Sequence, residues 1–305
     1  MFAHLRWSKT ESAPADNTQQ PIGLLAGWGG LPFAVARALR KQGRRVAGIG
    51  IRDHADPRLA DLCDEFGWIG MGGIGRAIRY FRHWGVTQAM MAGKVHKVLL
   101  FQPGWWLTHR PDWKTIRAFS PHFLTGTRDG KDDSLLQTIV EAFARDGITL
   151  EPPTIFAPEL LVRPGCIAGK SLHGRLQRDV TFGWELARQM GSLDVGQTVC
   201  VKNQAVIAVE AIEGTDACIR RAGELCKSGG FTVVKVAKPQ QDMRFDVPTV
   251  GLKTLQSLAD AGGRALVIEA DRTILLDQEQ FCRTARRLKI SVVALEESSI
   301  AEVAA

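Results

Sequence analysis

No stretch of the 305-residue chain approaches the roughly 20 uninterrupted apolar residues that a membrane-spanning helix needs. The opening MFAHLRWSKTESAPADNTQQ carries Arg6 and Lys9 but no apolar run of signal-peptide length. The six cysteines, Cys63, Cys166, Cys200, Cys218, Cys226 and Cys282, form neither a C-x-x-C nor a pair beside two histidines, which excludes zinc spacing. They read as reduced, mostly buried thiols and point to a cytoplasmic protein. A single Tyr stands against eight Trp, and no basic run is interleaved with aromatics, so a single-strand nucleic-acid binder is not expected. The complete dinucleotide fingerprint G-x-G-x-x-G is missing as well.

What is present is enough apolar residue, 45%, for sizeable cores, and a length that suggests about two domains. Lys and Arg number 39 against 32 Asp and Glu, a formal +7 that suits an anionic partner. Residues 1–20 are polar and aperiodic and read as a flexible extension. From Ile22 onward short apolar runs alternate with amphipathic segments: a strand at Ile22–Ala26, a helix over Phe33–Arg40, strands at Arg45–Ile51 and near Trp68–Ile69, a helix over Gly73–Trp84, and a strand at Gln88–Ala92. That rhythm predicts a Rossmann-like parallel sheet over residues 21–152. Residues 102–125 read as loop or short helices, and a helix resumes over Asp132–Arg145. A Pro-rich linker at 153–165 is expected to lead into a second, mixed-sheet α/β domain over 166–305. Its expected elements are a helix over Phe182–Met190, a hairpin of Thr198–Val201 and Ala205–Val209, a helix from Asp216 to Leu225, strands at Phe231–Val236, Ala265–Glu269, Thr273–Leu276 and Ile290–Leu295, and helices over Leu252–Ala261 and Glu279–Leu288.

Four places could carry chemistry. Gly27-x-Gly29-Gly30 follows the first strand, where backbone amides at a helix start can meet a phosphate; a simple tight turn explains it too, and a nicotinamide cofactor fits least. Asp53 stands where a ribose-binding acid would follow the second strand, although the fingerprint around it is incomplete. Lys94, in Gly93-Lys94-Val95, is either a phosphate contact or a solvated lysine, and Asp132-Asp133 either caps a helix or binds metal. In the second half, Glu210, Glu213 and Asp216 sit three residues apart at a strand-to-helix junction, and Lys238, Asp242, Arg244 and Asp246 share one later loop. Carboxylates that hold a hard cation beside lysines and arginines suit phosphoryl chemistry. Helix capping, pairing with Arg220 and Arg221, and an internal Asp242–Arg244–Asp246 salt-bridge network form the alternative.

The longest strings, Ala208-Val209-Glu210-Ala211-x-Glu213-Gly214-Thr215-Asp216-Ala217 and Lys238-Pro239-x-Gln241-x-x-Arg244-x-Asp246-x-Pro248-Thr249-x-Gly251, resemble the LpxI-type UDP-2,3-diacylglucosamine pyrophosphatases of lipid A synthesis. Supporting matches are Leu25-Ala26-Gly27 with Leu31-Pro32, Ala55-Asp56-Pro57, Ala92-Gly93-x-Val95, Gly130-Lys131-Asp132-Asp133-x-Leu135-Leu136 and Asp194-Val195-Gly196-Gln197. The resemblance spans Ile22 to Leu295. It implies a two-domain α/β hydrolase with its site in the interdomain cleft, and Mg²⁺- or Mn²⁺-dependent cleavage of UDP-2,3-diacylglucosamine to UMP and 2,3-diacylglucosamine 1-phosphate (lipid X), with water attacking the sugar-side phosphorus. It implies Asp246, Arg244 and Lys238 as catalytic residues and Asp246, Asp216 and Asp242 as metal ligands. Gly27, Gly29, Gly30, Leu31, Lys94, Gln197, Glu213, Gly214, Thr215, Gln241 and Thr249 would line the substrate. Trp28 departs from a usually small or polar position, and Gly93-Lys94-Val95-His96-Lys97 replaces an Asn-centred turn.

A lipid substrate makes transient contact with the inner membrane surface an expectation, with Trp105, Trp106 and Trp113 meeting acyl chains or else packing in a core. A homo-oligomer is compatible with the chain, and nucleic acid is not an expected partner. Competing functions are a non-catalytic nucleotide-sugar-binding regulator and a nicotinamide-dependent nucleotide-sugar oxidoreductase.

Overall fold

The computed structural model describes residues 20–95, 109–125 and 132–304. The expected extension at 1–20, except Gln20, and Trp105 and Trp106 lie outside the described residues.

The first half is built on β1 (Ile22–Ala26), β2 (Val46–Ile51), β3 (Glu65–Ile69), β4 (Gln88–Ala92) and β5 (Thr149–Leu150), all parallel in the order β3-β2-β1-β4-β5. β1 and β2 are buried along their whole length, as strands covered on both faces must be, and this is why they read as apolar runs rather than alternations. Helix α1 (Leu31–Lys41) covers one face with Val35, Ala36 and Leu39. The other is covered by α2 (Ile74–His83) and α4 (Asp132–Ala144), through Ile78, Phe81, Val140 and Phe143. Between those two helices runs α3 (Trp113–Thr125), one continuous helix of 13 residues where the sequence suggests a loop or short helices. Asp112 starts it, accepting the amide and hydroxyl of Thr115 at 3.0 and 2.9 Å.

Segment 153–165 is packed rather than bare. It holds the one-turn helix α5 (Pro153–Phe156) and a 3₁₀ turn at Pro158–Leu160, with Phe156, Ala157 and Val162 buried.

The second half is a mixed sheet ordered β6-β13-β11-β9-β7-β8, formed by β6 (Gly165–Ala168), β7 (Thr198–Lys202), β8 (Ala205–Val209), β9 (Thr232–Lys235), β11 (Ala265–Glu269) and β13 (Ser291–Leu295). β9, β11 and β13 run parallel at its centre, and antiparallel strands close both edges. The expected hairpin is present. Its two-residue turn places Asn203 and Gln204 at φ 52° and 60°, and the buried Asp179 accepts both amides at 3.0 and 2.6 Å. Asp179 belongs to α6 (Arg175–Ser192), which starts seven residues before the expected Phe182 because its first turns are polar. Helices α7 (Thr215–Leu225), α8 (Leu252–Asp260) and α9 (Gln278–Arg287) cover the opposite face, and α10 (Glu297–Ala304) packs beside α6. The segment expected as a strand at Thr273–Leu276 joins a separate two-stranded sheet instead, with β12 (Ile274–Leu275) parallel to β10 (Thr249–Val250). No helix among the described residues is long and apolar enough to cross a membrane.

Candidate active site

The carboxyl ends of β8 and β9 lie at the same edge of the second sheet, because both neighbouring pairings are antiparallel. β9 ends in Lys235, only 4% exposed, and β8 is followed by Glu210, only 7% exposed. Thr215 links them: its hydroxyl accepts from the Lys235 ammonium at 2.8 Å and donates to Glu210 Oε1 at 2.9 Å. Glu210 Oε2 lies 4.0 Å from Lys235 Nζ and has no hydrogen-bond partner among the described residues. Burial pushes the Lys235 amine below its ordinary value, and the nearby Lys94 charge pushes the same way; Glu210, Asp246 and Asp216 oppose both. The charges of one lysine and three carboxylates, from both halves of the chain, therefore bear on the buried Lys235 amine. Lys235 was not among the expected site residues, and Glu210 stood out only as one of three acids at a junction. The signal for both was a single charge ending an otherwise apolar strand.

The helix starts around this point lack side-chain caps. Gly214 at φ 81° precedes α7, Gly251 precedes α8 and Gly30 precedes α1, and none provides a side-chain acceptor for the first-turn amides. The α7 and α8 starts touch through Thr254 and Asp216, 3.2 Å apart. Lys253 bridges to the first half, 3.6 Å from Asp216 Oδ2 and 6.0 Å from the centre of the Trp28 ring. A Cβ on Gly30 would lie 3.2 Å from Leu276. Uncapped amides and their helix dipoles favour anions.

The glycine turn after β1 divides in role. A Cβ on Gly27 would sit 2.6 Å from the Lys94 carbonyl oxygen, so Gly27 is required by close backbone packing. Trp28 and Lys94, the two positions that depart from the family pattern, exchange backbone hydrogen bonds at 2.8 Å in both directions. Gly29, at φ 112°, is the open part of the turn, since a Cβ there would meet nothing within 4 Å; Leu31 is half-buried beyond it.

The loop from Lys238 to Pro248 is internally wired. Gln241 Oε1 accepts the Lys238 amide at 2.9 Å, which directs Gln241 Nε2 to Asp246 Oδ2 at 2.7 Å. Asp246 is exposed, with its second oxygen unbonded among the described residues. Lys238 ion-pairs with Asp194. Asp242 spends both oxygens on the Arg244 guanidinium, whose Nε lies 3.0 Å from each; this holds the Asp242 carboxyl below, and the Arg244 group above, its usual range. Arg244 also donates to Gln137 of α4 at 2.7 Å, and Phe245 packs against the first half's core. Asp242 and Arg244 thus form the internal salt bridge that the sequence offered as an alternative, and they dock the loop.

The remaining expected residues fall into two groups. Glu213 pairs with Arg221 and accepts the Ala211 amide at 3.2 Å; its own backbone amide is the main reason its carboxyl lies below the usual range, so it serves the local turn. Thr249 donates its hydroxyl to Val247 O at 2.9 Å. Gln197, whose backbone carbonyl accepts the Val236 amide at 3.0 Å, keeps a buried side-chain oxygen without a hydrogen-bond partner among the described residues. Gly196 beside it has no room for a Cβ, which would lie 2.0 Å from Glu210 O. Among the described residues no group of three His, Cys, Asp or Glu is placed to hold a metal ion.

Fold and site together define a two-part α/β protein with a buried lysine and uncapped helix starts arranged toward an anion. The family model of the LpxI N-terminal domain matches residues 21–160, and that of the LpxI C-terminal domain matches residues 163–293. A relative, the UDP-2,3-diacylglucosamine pyrophosphatase LpxI of Caulobacter vibrioides, is 30% identical over 284 residues, 90% of this chain and 97% of the relative. The chain belongs to the LpxI family. Solved structures overlap it weakly: a biotin carboxylase complex from Campylobacter jejuni (11% identity, 68% of this chain, 42% of that chain, TM-score 0.27) and glycinamide ribonucleotide transformylase 1 from Symbiobacterium toebii (17% identity, 52% and 97%, TM-score 0.23). Likenesses at that level carry no argument.

Proposed function

We propose that this protein hydrolyses the pyrophosphate bond of UDP-2,3-diacylglucosamine, yielding UMP and 2,3-diacylglucosamine 1-phosphate. The observation that carries the reading, beside family membership, is the buried Lys235, hydrogen-bonded to Thr215 and through it linked to Glu210, with the charges of Lys94, Asp246 and Asp216 bearing on it and the uncapped α7 start, which touches the α8 start, beside it. A diphosphate satisfies the amides and the lysines together. Asp246, with one oxygen fixed by Gln241 and the other open, orients a water and takes its proton. The water oxygen bonds to the sugar-side phosphorus, the bond from that phosphorus to the bridging oxygen breaks, and UMP leaves with the bridging oxygen.

The donor set fits a divalent cation only in part. Asp242 is occupied by Arg244, and Asp216 already meets Thr254 and Lys253, which leaves the open oxygen of Asp246; Mg²⁺ is commonly held by one or two carboxylates, with phosphate oxygens and waters as its other ligands. Such an ion would arrive with the substrate and neutralise charge on the phosphate oxygens. Acyl chains on the substrate favour work at a membrane surface, and Trp113, the described one of Trp105, Trp106 and Trp113, is 75% exposed at the start of α3 and available for it.

The test is UMP release from UDP-2,3-diacylglucosamine by the purified protein, with Mg²⁺ and with EDTA, for wild type and Asp246→Ala. Turnover with Mg²⁺, none with EDTA, and a loss of at least about 10³-fold in Asp246→Ala at unchanged melting temperature are expected. In ¹⁸O-water the label should enter the sugar 1-phosphate. Label in UMP would reverse the direction of attack, and wild-type rates in Asp246→Ala would remove Asp246 from the chemistry.

A further inference from the structure

Beyond the carboxyl end of β2, Asp53 and His109 form a pair that the phosphate chemistry does not use. Asp53 sits at φ 63°, a left-handed conformation that Asp and Asn tolerate better than other side-chain-bearing residues. The backbone around it is tied down: Arg52 N donates to Ile69 O at 2.8 Å, and His54 N and Ala55 N both donate to Ile51 O, at 3.1 and 2.9 Å. The Asp53 side chain is 59% exposed, whereas that of His109 beneath it is 3% exposed. His109 Nδ1 accepts the Met71 amide at 3.1 Å, which places the ring proton on Nε2, and Nε2 lies 3.1 Å from Asp53 Oδ2. The His54 ring stands edge-on to it, with centroids 6.4 Å apart. Asp53 Oδ1 makes no hydrogen bond to a described residue.

Stability does not explain this arrangement. A pair with one exposed member contributes little, while burying an imidazole removes it from water. What the pair achieves is orientation, holding an exposed carboxylate with one oxygen pinned and the other open. A carboxylate held so repels phosphate and accepts from hydroxyls. Its position selects which hydroxyls. β1 and β2 are adjacent and in register, Ala26 opposite Gly50, about 4.8 Å apart as neighbouring strands are. The open glycine turn follows Ala26, and Asp53 follows Gly50 by three residues. A ligand whose phosphates lie against the α1 start therefore carries its adjoining sugar past Asp53.

We propose that Asp53 is the acceptor for the ribose hydroxyls of a nucleoside diphosphate, with His109 as its positioning residue. Parallel nucleotide-binding sheets use an acid at the end of the second strand in this way, and here it stands without the third glycine of the dinucleotide fingerprint. The proposal rests on the nucleotide-sugar reading above and adds which part of the nucleotide the first half recognises.

The experiment is calorimetric titration of the full-length protein with UDP, 2′-deoxy-UDP and 3′-deoxy-UDP, in wild type, Asp53→Ala, Asp53→Asn and His109→Gln. Wild type should bind UDP at least about tenfold more tightly than one of the deoxy analogues, the size expected when a hydrogen bond to a charged group is lost. That preference should fall below about threefold in Asp53→Ala, and it should shrink in His109→Gln whatever the change in melting temperature. If Asp53→Ala does not fold, Asp53→Asn, which suits the left-handed backbone, carries the same expectation. A purely structural His109 would alter melting temperature and leave the UDP to deoxy-UDP ratio intact. Equal binding of all three nucleotides by wild type, or an undiminished preference in the Asp53 variants, overturns the ribose assignment alone. Failure of wild type to bind UDP at all overturns the nucleotide reading beneath it as well.

Discussion

Lys235 is an ammonium where burial makes a charge expensive, and Glu210, opposite it, keeps one oxygen without a hydrogen-bond partner among the described residues. Such a pair is a poor stabiliser, since two desolvated ions roughly cancel their own attraction, yet removing one partner leaves the other buried alone. Lys235→Met and Glu210→Leu should each lower stability by about 3–5 kcal/mol, and the double variant should recover most of that loss while remaining inactive. Urea unfolding of the four proteins measures it, and additive losses would contradict the coupling. The pH dependence has a definite sign. Folding lowers the Lys235 value below 10.5, so between the lowered value and 10.5 the unfolded chain binds more protons, and wild-type stability should rise with pH across that window. In Lys235→Met that rise should disappear. At this scale the sequence was half legible. Thr-Val-Val-Lys displays a lone charge after an apolar run, but it cannot show that Thr215 and Glu210, 20 and 25 residues upstream, complete its surroundings. The same holds for Asp242, whose spacing from Arg244 allowed either metal or salt bridge until the guanidinium was seen against both oxygens.

At the scale of elements, most of what positions the site is packing. Gly196 lets the loop before β7 lie directly on the Glu210 backbone, and no rotamer change can relieve a Cβ placed 2.0 Å from a carbonyl oxygen. Gly196→Ala should destabilise by at least about 1–3 kcal/mol, the usual penalty for overpacking, and should lower activity further by displacing Glu210. Gly29→Ala makes the contrasting case: with open space around it, only its backbone conformation resists, and a smaller loss of about 1 kcal/mol is expected. Chemical denaturation ranks the two, and a Gly196→Ala protein as stable as Gly29→Ala would refute the packing argument. Strands such as Ala265–Glu269 were legible because both faces are covered and the run is apolar throughout. β6 was not: it is a four-residue edge strand, Gly-Cys-Ile-Ala, with its first two residues exposed, and its pairing partner β13 lies more than a hundred residues away. β10 and β12 were obscured similarly, because two-residue pairing leaves no periodicity to detect.

The whole molecule adds what neither sheet holds alone. The loop bearing Asp246 reaches from the second sheet into the core of the first, where Phe245 packs, while Arg244 grips Gln137 and Arg37 faces Asp277 at 3.9 Å. No local pattern announces these contacts, since the amphipathicity of α4 and the apolarity of Phe245 are equally satisfied by partners inside their own halves. Their consequence is that the residue next to Asp246 is anchored by the opposite half, so the carboxylate is aimed only while the halves are docked. Phe245→Ala tests this. The side chain is half-buried, and its loss should lower stability by less than the roughly 3–5 kcal/mol of a fully buried Phe. Its effect on kcat should exceed its effect on KM, with kcat lower by about ten- to a hundredfold, because a misplacement near 1 Å at a reacting group is enough for that. Phe245→Leu, which retains an apolar anchor, should restore most of the rate. If Phe245→Ala turns over like wild type, Asp246 is held by Gln241 and its own loop alone, and the docking of the two halves is not what sets the geometry of attack.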